Sequence, residues 1–436
     1  MRVRMLGTGS SDGWPNPWCS CASCAAARAD GVLRGQTSAL VDDRLLIDLG
    51  PDGVRAAGDL SAVEAVLVTH AHPDHHAWPA WMWRGWAAAR RPLVLVGPPA
   101  VLADATPHLD PTVTTVAAHP GDRLSVAGYD VVVLPATHAG AAAGPAVLYD
   151  LTGPDGRRLL YATDTGVLRA EALALVQGRA YDAVLLDLTS GHGPVHHDLR
   201  TWPQQVAELR RRGAVVPTTA VHAIHLGHGN PPPAELDAVL AGWGASALRD
   251  GDVVELGTGP KAPPARRVLV IGGARSGKSA YAEQRLAAEP DVTYVATAPP
   301  RDGDQDWAER VSAHVERRPS SWTTIETAAV AAVLAGSRVP LLVDDLGLWL
   351  TRVIDDAAAW EGPTDAVEVA VDELVAAWRD CRTTAVLVAP DVGSGVVPSH
   401  ASGRRFRDLL GLATQRLATQ SDEVVHVVAG LPRSLR

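Results

Sequence analysis

The sequence predicts an α/β protein in two parts. The N-terminal half is built of short strands and histidine-bearing loops, and the C-terminal half of strands and helices alternating on a mainly parallel sheet. Three observations predict it. The chain has 436 residues, which at roughly 150 residues per domain makes two or three domains. A Gly/Pro-rich stretch, Gly257-Thr-Gly-Pro-Lys-Ala-Pro-Pro-Ala265, interrupts all periodicity near residue 260. The pattern changes across it, from strand–loop before to strand–loop–helix after. The expected division is therefore residues 1–256, a linker over 257–265, and residues 266–436.

Composition narrows the function classes. Apolar residues make up 47% and charged residues 20%, an ordinary globular balance that folds without a covalent staple. The formal net charge is −10, which disfavours non-specific nucleic-acid binding. No run of about twenty apolar residues is present to span a bilayer. The start, Met1-Arg-Val-Arg-Met-Leu-Gly7, has no apolar signal region, so a cytoplasmic location is expected. Three of the four cysteines, Cys19, Cys21 and Cys24, fall within six residues. In a cytosolic chain such a cluster reads as a metal site before a disulfide. Cys381 stands alone and reads as a buried helix residue.

In the first half, apolar β-type runs are expected as strands at Arg2 to Leu6, Ser38 to Val41, Leu45 to Leu49, Ala65 to Thr69 and Leu93 to Gly97. Others follow at Asp130 to Pro135, Ala146 to Leu151, Leu159 to Thr163, Ala183 to Leu188 and Asp252 to Leu256. Helices are expected at Asp198 to Arg211 and Pro233 to Trp243. In the second half, strands are expected at Val268 to Ile271, Val292 to Ala296, Pro340 to Asp344, Ala385 to Ala389 and Val424 to Val428. Helices are expected at Ser279 to Ala288 and Asp365 to Arg382, and the Ala-rich stretch from Ala328 to Ala335 also reads as helix.

After the apolar run Ala65 to Val68 comes Thr69-His70-Ala71-His72-Pro73-Asp74-His75-His76. His-x-His sets two imidazoles on one side of an extended turn, and Asp-His follows closely enough to face the same point. Such a group can hold a cation pair, which lowers the pKa of bound water towards neutrality. Further ligand types recur after later strands, as Ala136-Thr-His138, Ala162-Thr-Asp164 and Ala223-Ile-His225. This series resembles the metallo-β-lactamase superfamily over residues 1–256. The resemblance implies an αβ/βα sandwich with a dimetal site at one edge. It implies that His70, His72 and His138 hold one metal, that Asp74, His75 and His225 hold a second, and that Asp164 bridges them. The metals expected are Zn²⁺ or Mn²⁺. Gly7-Thr-Gly-Ser10 followed by Cys19-x-Cys21-x-x-Cys24 resembles, within that superfamily, the cyclic phosphodiesterase of phosphonate catabolism. That resemblance implies a structural Zn²⁺ on the three cysteines and His228. It also matches His-x-Asp-Leu to His196-His197-Asp198-Leu199, which makes His196 the general acid or phosphate contact, with His192 and His197 as rivals.

In the second half, Gly272-Gly273-Ala274-Arg275-Ser276-Gly277-Lys278-Ser279 follows a strand and opens a helix. The glycines let backbone N–H groups curl around phosphates, Lys278 reaches the outer phosphates, and Ser279 can ligate Mg²⁺. Lys278 is one of only two lysines in the chain, the other being Lys261. Downstream come Tyr294-Val-Ala-Thr297, Arg310-Val-Ser-Ala-His314-Val-Glu-Arg-Arg318-Pro319-x-x-Trp322, Leu341-Leu-Val-Asp344 with Leu348-Trp-Leu-Thr351, Val392-Gly-Ser-Gly395-Val-Val-Pro398, Gly403-Arg-x-Phe406-Arg407-Asp408, and Val428-Ala-Gly430. The ordered series resembles the adenosylcobinamide kinase / adenosylcobinamide-phosphate guanylyltransferase family across residues 266–436. The resemblance implies that ATP or GTP with Mg²⁺ phosphorylates adenosylcobinamide. GMP from GTP then passes to the resulting phosphate through a guanylylated histidine, which is His314 here. It assigns Thr297, Arg318 and Glu326 to nucleotide contacts and Asp344 to Mg²⁺, and it implies a trimer. The sequence departs from the family at Pro390-Asp391, where Asn-Glu is usual, at Thr414, where Asn is usual, and at Asp345, where a small residue is common.

Two other readings of the first half remain beside a phosphoesterase: a non-catalytic metal-binding module, and an RNA-processing metallo-nuclease. The acidic balance and the lack of a Lys/Arg-rich arm count against the second.

Overall fold

The computed structural model describes residues 1–138, 144–191, 193–257, 266–298 and 318–436. The chain forms two compact units, Met1–Pro263 and Pro264–Arg436. The expected linker 257–265 lies, except for Gly257, outside the described residues.

The N-terminal unit is two seven-stranded sheets. The first runs in the order Val253–Glu255, Arg2–Gly7, Ser38–Val41, Leu45–Ile47, Ala65–Leu67, Leu93–Gly97 and Val113–Ala117. The second runs Ser246–Ala247, Ala220–Ile224, Ala183–Asp187, Arg158–Ala162, Val147–Thr152, Tyr129–Pro135 and Arg123–Val126. Period-2 alternation decides what each face buries. Val3, Met5, Val41, Ile47 and Leu67 of the first sheet pack with Tyr129, Val131, Tyr149, Leu151, Tyr161 and Leu185 of the second, forming the sandwich core. The intervening residues Leu40, Leu46, Val66 and Leu95 face the other way, onto Trp81, Val101 and Ala105. The strands Leu45–Ile47 and Ala65–Leu67 are parallel to each other, as are Arg158–Ala162, Ala183–Asp187 and Ala220–Ile224. Residues just past these strands therefore gather at one edge of each sheet.

Most expected strands form within a residue or two of the expected bounds. The helix expected from Asp198 begins at Thr201; ahead of it the Asp198 carboxylate accepts from the Arg200 and Thr201 backbone N–H groups at 3.0 and 2.7 Å. Cys381 is buried, one residue beyond the helix Asp365–Asp380 rather than inside it. Among the described residues no helix is long and apolar enough to cross a membrane.

The C-terminal unit is one seven-stranded sheet in the order Thr323–Glu326, Thr293–Ala296, Leu341–Asp344, Ala385–Pro390, Arg267–Gly272, Glu423–Val428 and Leu431–Ser434. All neighbours are parallel except the last pair. Val268 and Val270 face the helix Lys278–Arg285 through Ala282. Leu269 and Leu387 face the helices Leu346–Asp356, Asp365–Asp380 and Ala401–Thr419 on the other side. Leu387 is fully buried in the central strand. Leu387→Ala is expected to cost roughly 2–5 kcal/mol, read as a lower denaturant midpoint at unchanged slope.

Candidate metal and phosphate sites

The edge of the N-terminal sandwich collects side chains from four strand ends. His70, His72, Asp74 and His75 stand on the loop after Ala65–Leu67, and His138 follows Tyr129–Pro135. Asp164 follows Arg158–Ala162, and His225 follows Ala220–Ile224. Two groups result that share Asp164. In one, ligand atoms of His70, His72, His138 and Asp164 lie within 4.8 Å of one another; in the other, those of Asp74, His75, Asp164 and His225 do. These are the seven residues the sequence singles out.

Chemistry of the donor set fits divalent ions. His75 Nε2 and His225 Nε2 lie 3.1 and 2.9 Å from Asp164 oxygens. Both nitrogens and Asp164 Oδ1 are nevertheless buried without an aligned hydrogen bond. Buried polar atoms left in that condition are costly unless something else satisfies them. Electrostatics divide the cluster. Burial, with His75 nearby, pushes His70 below its ordinary pKa, and burial takes His138 down to about 4. Burial also opposes charge on His75, but Asp74, Asp48 and Asp164 hold its pKa well above the ordinary value. Burial alone would raise Asp164, yet His225 and His75 hold it well below the carboxylate range. Asp164 and His225 adopt left-handed backbone, at φ 46° and 56°. Non-glycine residues hold that conformation only where the surroundings force it.

Sequence reasoning missed two supporting carboxylates. Asp48, fully buried at φ 60°, accepts from His75 Nδ1 at 2.8 Å and from the Thr69 N–H and hydroxyl at 2.8 and 2.9 Å. Asp187 lies 3.0 Å from His196 Nδ1 and 3.4 Å from His225 Nδ1, and accepts from the Thr189 hydroxyl at 3.0 Å. Both close an apolar strand, as in Leu-Ile-Asp48 and Leu-Leu-Asp187, and that is the signal that could have found them. Of the three histidines in the His-x-Asp-Leu region, His196 stacks on His225 with ring centroids 5.6 Å apart, facing the cluster. His197 turns away to Thr201 Oγ1 at 3.2 Å. His192 lies outside the described residues.

The cysteines form a separate group. Cys19, Cys21, Cys24 and His228 place four ligand atoms within 4.8 Å of one another, with Cys21 Sγ 3.7 Å from His228 Nδ1. The Cys24 backbone N–H and His228 stabilise the Cys21 thiolate and lower its pKa to about 6, whereas burial pushes Cys24 up to about 11. Three sulfurs and one imidazole make the donor set of a closed, structural zinc site.

In the C-terminal unit, the strand Arg267–Gly272 runs into the glycine loop and then the helix Lys278–Arg285. Gly277 sits at φ 91°, and a Cβ there would lie 3.1 Å from Gly430 Cα. Lys278 Nζ is 3.5 Å from the Gly273 carbonyl, folded back over the loop. Gly272, Ser276 and Gly277 are packed, whereas Ala274 and Arg275 are exposed; Gly273 and Ser279 are half-buried. At the same strand edge, Asp344 and Glu326 both lie opposite Ala296 in register. Tyr294 donates its hydroxyl to Asp344 Oδ2 at 2.9 Å. Thr297 Oγ1 donates to the Asp345 carbonyl at 2.7 Å. The Arg318 guanidinium lies over the Tyr294 ring at 3.3 Å. Asp345 caps the helix Leu346–Asp356, and burial beside Asp344 raises its pKa to about 6. His314 lies outside the described residues. Three of the four family departures, Pro390, Asp391 and Thr414, line one cavity of about 610 Å³ beside the strand that leads into the loop.

Comparison with known proteins locates both halves. The profile of the cobinamide kinase / cobinamide phosphate guanyltransferase family matches residues 268–435, and that of a beta-lactamase superfamily domain matches residues 43–225. The bifunctional adenosylcobalamin biosynthesis protein CobP of Pseudomonas aeruginosa is 40% identical over 178 residues, 39% of this chain and 97% of that protein. CobU of Salmonella typhimurium, described in the same words, is 36% identical over 179 residues, 38% of this chain and 96% of that protein. Among solved structures, a diphosphatase from the PhnP family aligns with TM-score 0.47 and 21% identity, over 58% of this chain and 97% of that one. By its C-terminal unit the chain belongs to the cobinamide kinase / cobinamide phosphate guanyltransferase family, and ahead of that unit it carries a metallo-β-lactamase domain.

Proposed function

We propose that the C-terminal unit makes the activated nucleotide form of a corrinoid in two steps. In the first, the hydroxyl of adenosylcobinamide attacks the γ-phosphorus of ATP or GTP. The nucleoside diphosphate leaves and the hydroxyl proton is lost. In the second, a neutral His314 imidazole attacks the α-phosphorus of GTP and pyrophosphate leaves. The adenosylcobinamide phosphate then takes the GMP group from nitrogen and frees the histidine. The glycine-loop N–H groups and Lys278 bind and orient the triphosphate, and Thr297, Arg318 and Glu326 contact the nucleotide. Mg²⁺, for which Ser279 and Asp344 are the ligands on this chain, neutralises phosphate charge. The observation that carries this reading is the match of the C-terminal unit to nearly the whole length of a bifunctional relative at 40% identity.

We infer that the N-terminal domain is a phosphoesterase acting on a phosphodiester. His70, His72, His138, Asp74, His75, His225 and the shared Asp164 would hold divalent ions, which would supply Lewis acidity when bound. His196, held through Nδ1 by Asp187, presents its other nitrogen to protonate the leaving oxygen. Cys19, Cys21, Cys24 and His228 hold a structural zinc. A non-catalytic module has no use for a histidine oriented in this way beside the cluster.

Incubation with [α-³²P]GTP is expected to leave an acid-labile, alkali-stable label on the chain that is absent in His314→Ala; label that survives this substitution rules His314 out. Elemental analysis of the intact chain is expected to find two ions in the histidine cluster and one in the cysteine cluster. Asp164→Ala then loses the former and Cys21→Ser only the latter. With Mn²⁺ or Zn²⁺ the chain is expected to hydrolyse a simple aryl phosphodiester. His196→Ala should cut kcat by roughly 10²–10⁴ with metal content unchanged; no turnover with either metal counts against a phosphoesterase.

A further inference from the structure

The N-terminal unit has a second cavity, of about 320 Å³, which none of the cluster residues lines. It lies on the outer, helix-covered face of the first sheet. Its walls are aliphatic and aromatic, with Leu46, Val66, Leu93 and Trp81 buried at their base. Its mouth is different. Arg84, Arg90 and Arg91 stand there with Trp83, and no acidic residue lines any part of it. In a chain of net charge −10, a lining whose charged side chains are all arginines is a local departure, although Glu64 lies close enough to Arg91 to act on it. Arg84 is held by Asp110. The Arg90 side chain donates to the Gly85 carbonyl, which satisfies an N–H group without neutralising charge. Trp83 is 37% exposed, with the Arg55 guanidinium 4.7 Å above its ring, and Trp86 beside it is 73% exposed.

We propose that this cavity binds a small amphiphile, a single apolar chain bearing an anionic head. The buried walls exclude water and take the chain, while the guanidinium groups at the rim pair with the head. The volume stands at the low end of ligand pockets, roughly 300–1,000 Å³, and admits one chain rather than two. The occupant would lie directly behind the metal-ligand loop. The helix Pro79–Gly85, which supplies Ala80, Trp81 and Trp83 to the walls, begins three residues after His76, and Trp81 Nε1 donates to His76 Nε2 at 2.9 Å.

Calorimetric titration of the intact chain below the probe's micelle concentration tests this, with dodecanoate as probe and dodecyltrimethylammonium as its charge-reversed control. One saturable site for dodecanoate, with the cation at least about tenfold weaker, is the expected result. Val54→Trp fills the wall and Ala87→Trp plugs the exposed mouth, and each should abolish saturation. Ala87→Trp keeps the test valid if the half-buried Val54 substitution unfolds the domain. Arg90→Glu with Arg91→Glu should weaken dodecanoate about tenfold. Equal binding of both probes, non-saturable uptake, or undiminished binding in a folded Ala87→Trp would overturn the proposal. So would binding to phosphatidylglycerol vesicles that both plugging variants retain, since that would place the recognition on a bilayer surface instead.

Discussion

The N-terminal domain depends on one buried carboxylate. Asp164 is nearly inaccessible, sits in a strained backbone conformation, and lies within 3.1 Å of the ring nitrogens of His70, His75 and His225. A charge removed from water this thoroughly must be matched at close range. The match comes from imidazoles delivered by separate strand ends, so the two sheets are fixed in relative position by electrostatics as well as by their apolar core. Asp48 and Asp187 extend the same logic outward. Each accepts from the far side of an imidazole and so sets which nitrogen faces inward.

The C-terminal unit solves a different problem with different means. Its glycine loop presents a helix start where the other unit encloses a buried charge. It uses backbone N–H groups at a helix start, and these are available only where the chain turns through conformations a side chain would obstruct. The left-handed Gly277 against Gly430 is that constraint in local form. The packing explains why the loop is anchored by the strand Arg267–Gly272 near the middle of the sheet, where neighbours on both sides leave little freedom.

Much of this was legible in the residue order, for a physical reason. Ligand histidines and the glycine loop are short, dense and placed directly after apolar runs, so composition and position reinforce each other. Inner strands such as Ala183–Asp187, buried throughout, announce themselves by continuous apolar residues. The strands Val113–Ala117, Arg123–Val126, Thr323–Glu326 and Leu431–Ser434 did not, because they lie at sheet edges and expose half or more of their residues. A half-solvated edge needs no hydrophobic signature. Asp48 and Asp187 were hidden because a single carboxylate after a strand is common; only the three-dimensional approach of an imidazole distinguishes it. The convergence of Pro390, Asp391 and Thr414 on one cavity was equally invisible, since residues far apart in order meet only through the helix Ala401–Thr419.

His228 follows His225 by three residues, yet its partner Cys21 is 207 positions away along the chain. A zinc ion shared between them would close most of the N-terminal domain into a single ring. Loop-closure entropy grows only slowly with ring size, but it is largest for rings of this length. The clasp thus restricts the disordered chain more than any local contact could. Such a clasp would tie the loop after Arg2–Gly7 to the loop after Ala220–Ile224, three residues from His225.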